Sequence, residues 1–200
     1  MDYLELFGAI TGVLCVWFAT RQNVWYWIVG IISVLVYTVV FFKSKLYGDM
    51  GLQVVYLALS VYGWYNWVYG GKEHHGIAVS RLSKTHWIGY SLLTVVGTLA
   101  LGYFLHSQTD ASLPFLDSFC TVVSLVATYL QTRKKIENWH LWIFINSVYI
   151  GMYYFKVHYI TAVLSVIMVA LAVVGLFEWK KGLSAIASDS ETIPSPKVIN

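Results

Sequence analysis

Seven long apolar runs, separated by short polar breaks, leave this 200-residue chain few ways to fold. They cover residues of about 4–20, 24–42, 50–70, 86–106, 114–131, 138–155 and 159–179. Each approaches the roughly 20 residues a helix needs to cross the hydrocarbon layer of a membrane. The centres of the runs hold no Asp, Glu, Lys or Arg; Glu5, Asp49, Asp117 and Glu178 stand at their ends. With 58% hydrophobic and 12% charged residues, the chain is read as an all-α integral membrane protein. Its net charge of +3 calls for no nucleic-acid partner, because the bases fall in the breaks. The acidic start Met1-Asp2-Tyr3-Leu4-Glu5 is unlike a signal peptide, so the first run is expected to be retained as a span.

Sorting the bases by side sets the orientation. The first, third and fifth breaks and the C-terminus hold Arg21, Lys72, Arg81, Lys84, Arg133, Lys134, Lys135, Lys180, Lys181 and Lys197; the other side holds Lys43, Lys45 and Lys156. The positive-inside rule then places the C-terminus in the cytoplasm and the N-terminus outside, which requires an odd number of spans. After Lys181 the chain turns to Ser, Pro, Ala and Asp, and 183–200 reads as a disordered cytoplasmic tail.

Sliding the chain over itself by about 112 residues brings Tyr62-Gly63-Trp64-Tyr65-Asn66-Trp67 onto Val174-Gly175-Leu176-Phe177-Glu178-Trp179 and Thr20-Arg21 onto Thr132-Arg133. Tyr37 falls on Tyr149, and a one-residue shift sets Tyr26 on Trp139. The expected organisation is a first three-helix repeat over 1–70, a cytoplasmic loop and linker helix over 71–110, and a second repeat over 111–182. An intervening fourth helix makes the repeats parallel, a three-one-three plan like that of SWEET sugar transporters, with a substrate site between the halves.

Trp139, Trp142, Asn146, Tyr149 and Tyr153 recur at helical spacing on one face of the sixth run. Tyr26, Gly30, Ser33 and Tyr37 form a weaker counterpart in the second, and Gln53, Tyr56, Ser60, Gly63 and Trp67 a third stripe. A buried amide in hydrocarbon is costly unless paired, so Gln53 and Asn146 are expected to face the interior, as ligand contacts or as helix-to-helix partners. Trp25, Trp27, Trp67, Trp87 and Trp179, near run ends, read as interfacial anchors. Cys15 and Cys120 read as small buried hydrophobes with neither disulfide nor metal spacing, and Gly8 and Gly12 as close-packing residues. No phosphate-binding glycine loop, metalloprotease helix or nucleophile elbow is present, so neither an enzyme nor a cofactor is expected. Runs without central charge favour uncoupled facilitated diffusion, and aromatic walls without a base favour a flat, unphosphorylated, neutral or cationic solute.

Leu52-Gln53-Val54, then Tyr62-Gly63-Trp64-Tyr65, then the Trp-x-x-Trp of Trp139-His140-Leu141-Trp142, then Asn146, resemble the PnuC family of bacterial vitamin transporters over all but the tail. The resemblance implies a homotrimer in the inner membrane that takes up nicotinamide riboside, with a cytoplasmic kinase trapping the substrate. Carried over by position, it implies substrate contacts at Gln53, Trp139, Trp142 and Asn146; Ser33, Ser60, Tyr37 and Tyr149 complete the candidate set. Riboside-carrying members often have further asparagines in helices two, three and seven, where Ser33, Ser60 and Val174 stand here. Thiamine is therefore kept as a second substrate. A non-transporting membrane scaffold is the reading of another class.

Overall fold

The computed structural model describes residues 3–43, 47–71, 74–109, 113–155, 157 and 159–192. Lys45, Lys72, Lys156 and Lys197 lie outside these, as do the side chains of Glu5 and Asp49. Among the described residues the chain forms seven helices and no strand: α1 (Tyr3–Thr20), α2 (Trp25–Lys43), α3 (Tyr47–Tyr69), α4 (Lys84–Gln108), α5 (Pro114–Thr132), α6 (Asn138–Phe155) and α7 (Tyr159–Thr192). They start where the chemistry lets them. Ser83 caps α4 by accepting from the His86 amide, and Pro114 opens α5, where a missing N–H costs nothing. Helix α7 continues through the stretch 183–192, whose composition reads as tail; no proline interrupts it before Pro194.

Among the described residues, three helices are long and apolar enough to span a membrane, over Lys84–Gln108, Pro114–Thr132 and Tyr159–Ser184, with shorter apolar stretches at Ala9–Thr20 and Trp25–Val39. The polar atoms of Trp, Tyr, Asn and Gln lower the hydropathy of α3 and α6. Outward faces are apolar: Ile88, Leu92, Leu99 and Tyr103 on α4 and Ile32, Val36 and Phe42 on α2 are exposed. Such surfaces suit lipid rather than water.

Packing runs α1–α2–α3–α5–α6–α7 and back to α1, a closed ring of six helices, while α4 packs on α5 alone. Arg21, Arg81, Arg133, Lys134, Lys135, Lys180 and Lys181 gather at one end. Here Ser80 pairs in parallel with Lys135, and Gln22 approaches Gly182. We call this the basic end.

Two matching sets of contacts, 112 residues apart, build it. Gln22 and Lys134 both terminate a helix in the left-handed region, with φ of 53° and 46°. Thr20 Oγ1 donates to the Trp17 carbonyl at 2.8 Å, and Thr132 Oγ1 to the Tyr129 carbonyl at 2.7 Å. Trp27 lies over Gly63 and Trp139 over Gly175, each where a Cβ would overlap the ring. Trp27 and Trp67 meet edge to face at 5.4 Å and 89°, and so do Trp139 and Trp179. The counterpart of Trp139 is thus Trp27, not the Tyr26 suggested by a shifted register.

These contacts also overturn a reading of the tryptophans. Trp27, Trp67 and Trp179 are 1%, 4% and 0% exposed and form the core of the basic end with Ala19, Ile136, Trp139, Ala172 and Leu176. They are not interfacial anchors: Trp27 fits the slot that Gly63 leaves on the neighbouring helix, and Trp67 and Trp179 are enclosed by the other indoles. Trp25, at 57% exposed, fits the anchor role.

Candidate functional site

Inside the ring lies a cavity of about 350 Å³. Gly12, Cys15, Val16 and Ala19 of α1 line one wall; Tyr26 of α2, Gln131 of α5, Trp139, Trp142 and Asn146 of α6, and Met168 and Ala172 of α7 line the rest. Ala19, Trp139 and Ala172 also belong to the tryptophan core, so that core is the cavity floor toward the basic end. Small residues at positions 12, 15, 19 and 172 leave the space that aromatic side chains of α6 partly fill.

The α6 residues present one face for the reason their spacing indicates: steps of three and four residues stay on one side of a helix. Trp142 Nε1 donates to Gln131 Oε1 at 3.1 Å, and Asn146 Nδ2 donates to the Trp142 carbonyl at 2.8 Å. These bonds fix the Trp142 ring and the Asn146 amide. The amide oxygen of Asn146 takes no part in the bond to its own helix. Cys15 Sγ donates to the Tyr26 carbonyl at 3.4 Å, joining α1 to α2 beside the cavity. Cys15 is therefore a wall residue, whereas Cys120, 2% exposed, is a buried hydrophobe as expected.

Among the described residues, no Asp, Glu, Lys, Arg or His lines the cavity. Beyond the floor, Lys134 Nζ sits 4.8 Å from the Trp67 ring centroid. Burial there lowers the Lys134 ammonium below the usual lysine pKa. A ligand would meet aromatic faces, two amides and a thiol. Such a wall can hold a flat neutral or cationic group by stacking and cation-π attraction, and offers an anionic phosphate no counter-charge.

Of the eight candidate residues, the cavity gathers Trp139, Trp142 and Asn146. Tyr149 belongs to the next layer, packed with Trp142 against Val123, Ala127 and Ile145, its ring 5.7 Å from Tyr153. Ser60 is buried between α3 and α2, its hydroxyl 3.8 Å from where a Gly30 Cβ would stand. Gln53 and Ser33 are half-buried outside the lining, and Tyr37 is 45% exposed. The residue that sequence reading missed is Gln131. It is the last residue of the fifth apolar run, in Leu130-Gln131-Thr132-Arg133, directly before a polar break. Its one signal was that its partner at the 112-residue offset is Ala19, a residue with no polar side chain.

The sequence profile of the nicotinamide mononucleotide transporter family matches residues 2–181. The nicotinamide riboside transporter PnuC of Escherichia coli (strain K12) is 30% identical over 205 residues, covering 90% of this chain and 85% of that protein. The riboflavin/roseoflavin transporter RibM of Streptomyces davaonensis is 28% identical over 178 residues, covering 88% and 83%. A crystal structure of the vitamin B3 transporter PnuC superposes with a TM-score of 0.67 at 29% identity, over 88% of this chain and 80% of that one.

Proposed function

Because this chain belongs to the nicotinamide mononucleotide transporter family, matched over residues 2–181, we propose that it carries a vitamin, nicotinamide riboside, across the bacterial inner membrane by uncoupled facilitated diffusion. The observation that carries this reading is the charge-free aromatic cavity itself. Trp142 offers a ring face to a pyridinium above the Trp139 floor, and Asn146 offers an amide to its carboxamide or ribose, while Gln131 holds the Trp142 ring. A mononucleotide would bring a phosphate to a wall without Lys or Arg, so the riboside fits better. The cavity's size lies at the lower end of the ~300–1,000 Å³ common for small-molecule sites.

The wider picture belongs to the same proposal. The two sets of three helices act as parallel repeats around the cavity, with α4 as linker. The basic end faces the cytoplasm, the N-terminus lies outside, and the protein works as a homotrimer. A cytoplasmic kinase phosphorylates arriving substrate, which keeps the gradient inward without a coupled ion. Thiamine is the second reading. Met168, Ala172 and Gly12 offer little to ribose hydroxyls, and Ser33 and Ser60 are outside the lining.

Calorimetric titration of the purified protein with nicotinamide riboside, thiamine and riboflavin, followed by uptake into liposomes, tests both readings. Saturable binding and uptake of nicotinamide riboside are expected. Preference for thiamine would reassign the substrate, and absence of saturable uptake for all three would leave only a non-transporting scaffold.

A further inference from the structure

We propose that Gln131 is a positioning residue that holds the binding ring of Trp142 with its side chain and a tryptophan seal with its backbone. The proposal rests on the transport reading above and adds a path from the site to the barrier.

The seal is the row Trp27, Trp67, Trp179 and Trp139. Successive ring centroids are 5.4, 5.9 and 5.4 Å apart, and the row closes the cavity toward the basic end. Two bonds hold it across the junctions between the halves: Trp67 Nε1 donates to the Gln131 carbonyl at 3.0 Å, and Trp179 Nε1 to the Ala19 carbonyl at 3.1 Å. The outer indoles, Trp27 and Trp139, are buried with Nε1 unbonded. A buried donor without an acceptor favours states in which it reaches water, so this closure is poised to part.

The two junctions differ in one respect. At Ala19 the residue ends in a methyl, whereas at Gln131 it carries an amide to the cavity and bonds Trp142 Nε1 at 3.1 Å. Gln131 is 2% exposed, so bulk solvent has little access to either bond. A solute that stacks on Trp142 and turns its ring draws on Gln131. The displaced backbone carbonyl then loosens Trp67. Filling the site and opening the barrier become one motion.

The test uses Cys15, the cavity thiol, as reporter in full-length protein in vesicles, with Cys120 replaced by alanine. A membrane-impermeant sulfonated maleimide is added on the basic face and the initial labelling rate is measured. The parent labels slowly. Trp67→Phe, which keeps a ring but loses the donor, and Gln131→Met, which loses the amide, are each expected to raise the rate about tenfold. Gln131→Glu, which keeps an oxygen acceptor, stays within about twofold of the parent. Unchanged rates in both Trp67→Phe and Gln131→Met, or equal increases in Gln131→Met and Gln131→Glu, would overturn the proposal. If Trp67→Phe does not fold, the contrast between Gln131→Met and Gln131→Glu decides the proposal, with Trp179→Phe, whose bond goes to Ala19, as the control at the other junction. The labelling requires no vitamin, so it judges the seal even where titration rejects every vitamin tried.

Discussion

Trp142 combines two roles in one side chain: its face borders the cavity and its N–H is tied to Gln131. Trp142→Ala should therefore weaken vitamin binding by about 1 kcal/mol or more, read by calorimetry, while Trp142→Phe should lose less. Full affinity in the alanine variant would remove α6 from the site. The glycines beneath the indoles allow a sharper structural test. A Cβ at Gly63 or Gly175 would overlap Trp27 or Trp139, whereas one at Gly151 meets nothing within 4 Å. Gly63→Ala and Gly175→Ala should each lower stability by about 1–3 kcal/mol in thermal unfolding, and Gly151→Ala should not. At this scale sequence reading put Trp139, Trp142 and Asn146 on one α6 face, and the cavity gathers those three without Tyr149 or Tyr153; it misread Trp27, Trp67 and Trp179 as anchors. An indole near a helix end suits an interface or a core equally well, and what the other helices pack against it decides which.

Among elements, the segment between α3 and α4 does more than connect. Ser80 N–H donates to the Lys134 carbonyl at 3.0 Å, Ile136 N–H to the Ser80 carbonyl at 3.1 Å, and Lys135 Nζ to Ser80 Oγ at 2.9 Å. Glu137 Oε2 accepts from the Leu82 amide at 3.0 Å, and Val79 is buried. The segment is a strap over the α5–α6 turn; no such strap crosses the α1–α2 turn among the described residues. Glu137→Ala removes a charge-assisted acceptor, should cost about 1–2 kcal/mol, and should speed proteolysis within 74–83; Glu137→Gln, which keeps an oxygen, should do so less. The strap was not legible beforehand. Two of its bonds run backbone to backbone and carry no side-chain signature, and Ser80 and Lys135 lie in separate polar breaks with no pattern linking them.

For the whole molecule, a ring of six helices around a cavity without charged lining predicts transport that ignores ion gradients. Initial uptake into liposomes should be unchanged when the proton gradient is collapsed; a steep fall would require a coupled proton. The gathering of bases at one end predicts that a C-terminal tag is reached only from the cytoplasmic side and an N-terminal tag only from outside, measured by impermeant labelling of intact cells.

What sequence alone determined was the membrane class, the seven helices, and which connections carry the bases. Hydrocarbon thickness and the positive-inside bias act on each segment separately, so local composition reports them. Helical spacing likewise showed which residues share a face. Where each face points was decided only by the tertiary structure. Lipid and protein interior are almost equally apolar, so hydropathy does not distinguish a face left exposed on the ring, as at Tyr37, from one turned to the cavity, as at Trp142. The choice fell to glycine slots and to bonds reaching from one three-helix set to the other, such as those made by Gln131, and these exist only once the ring has closed.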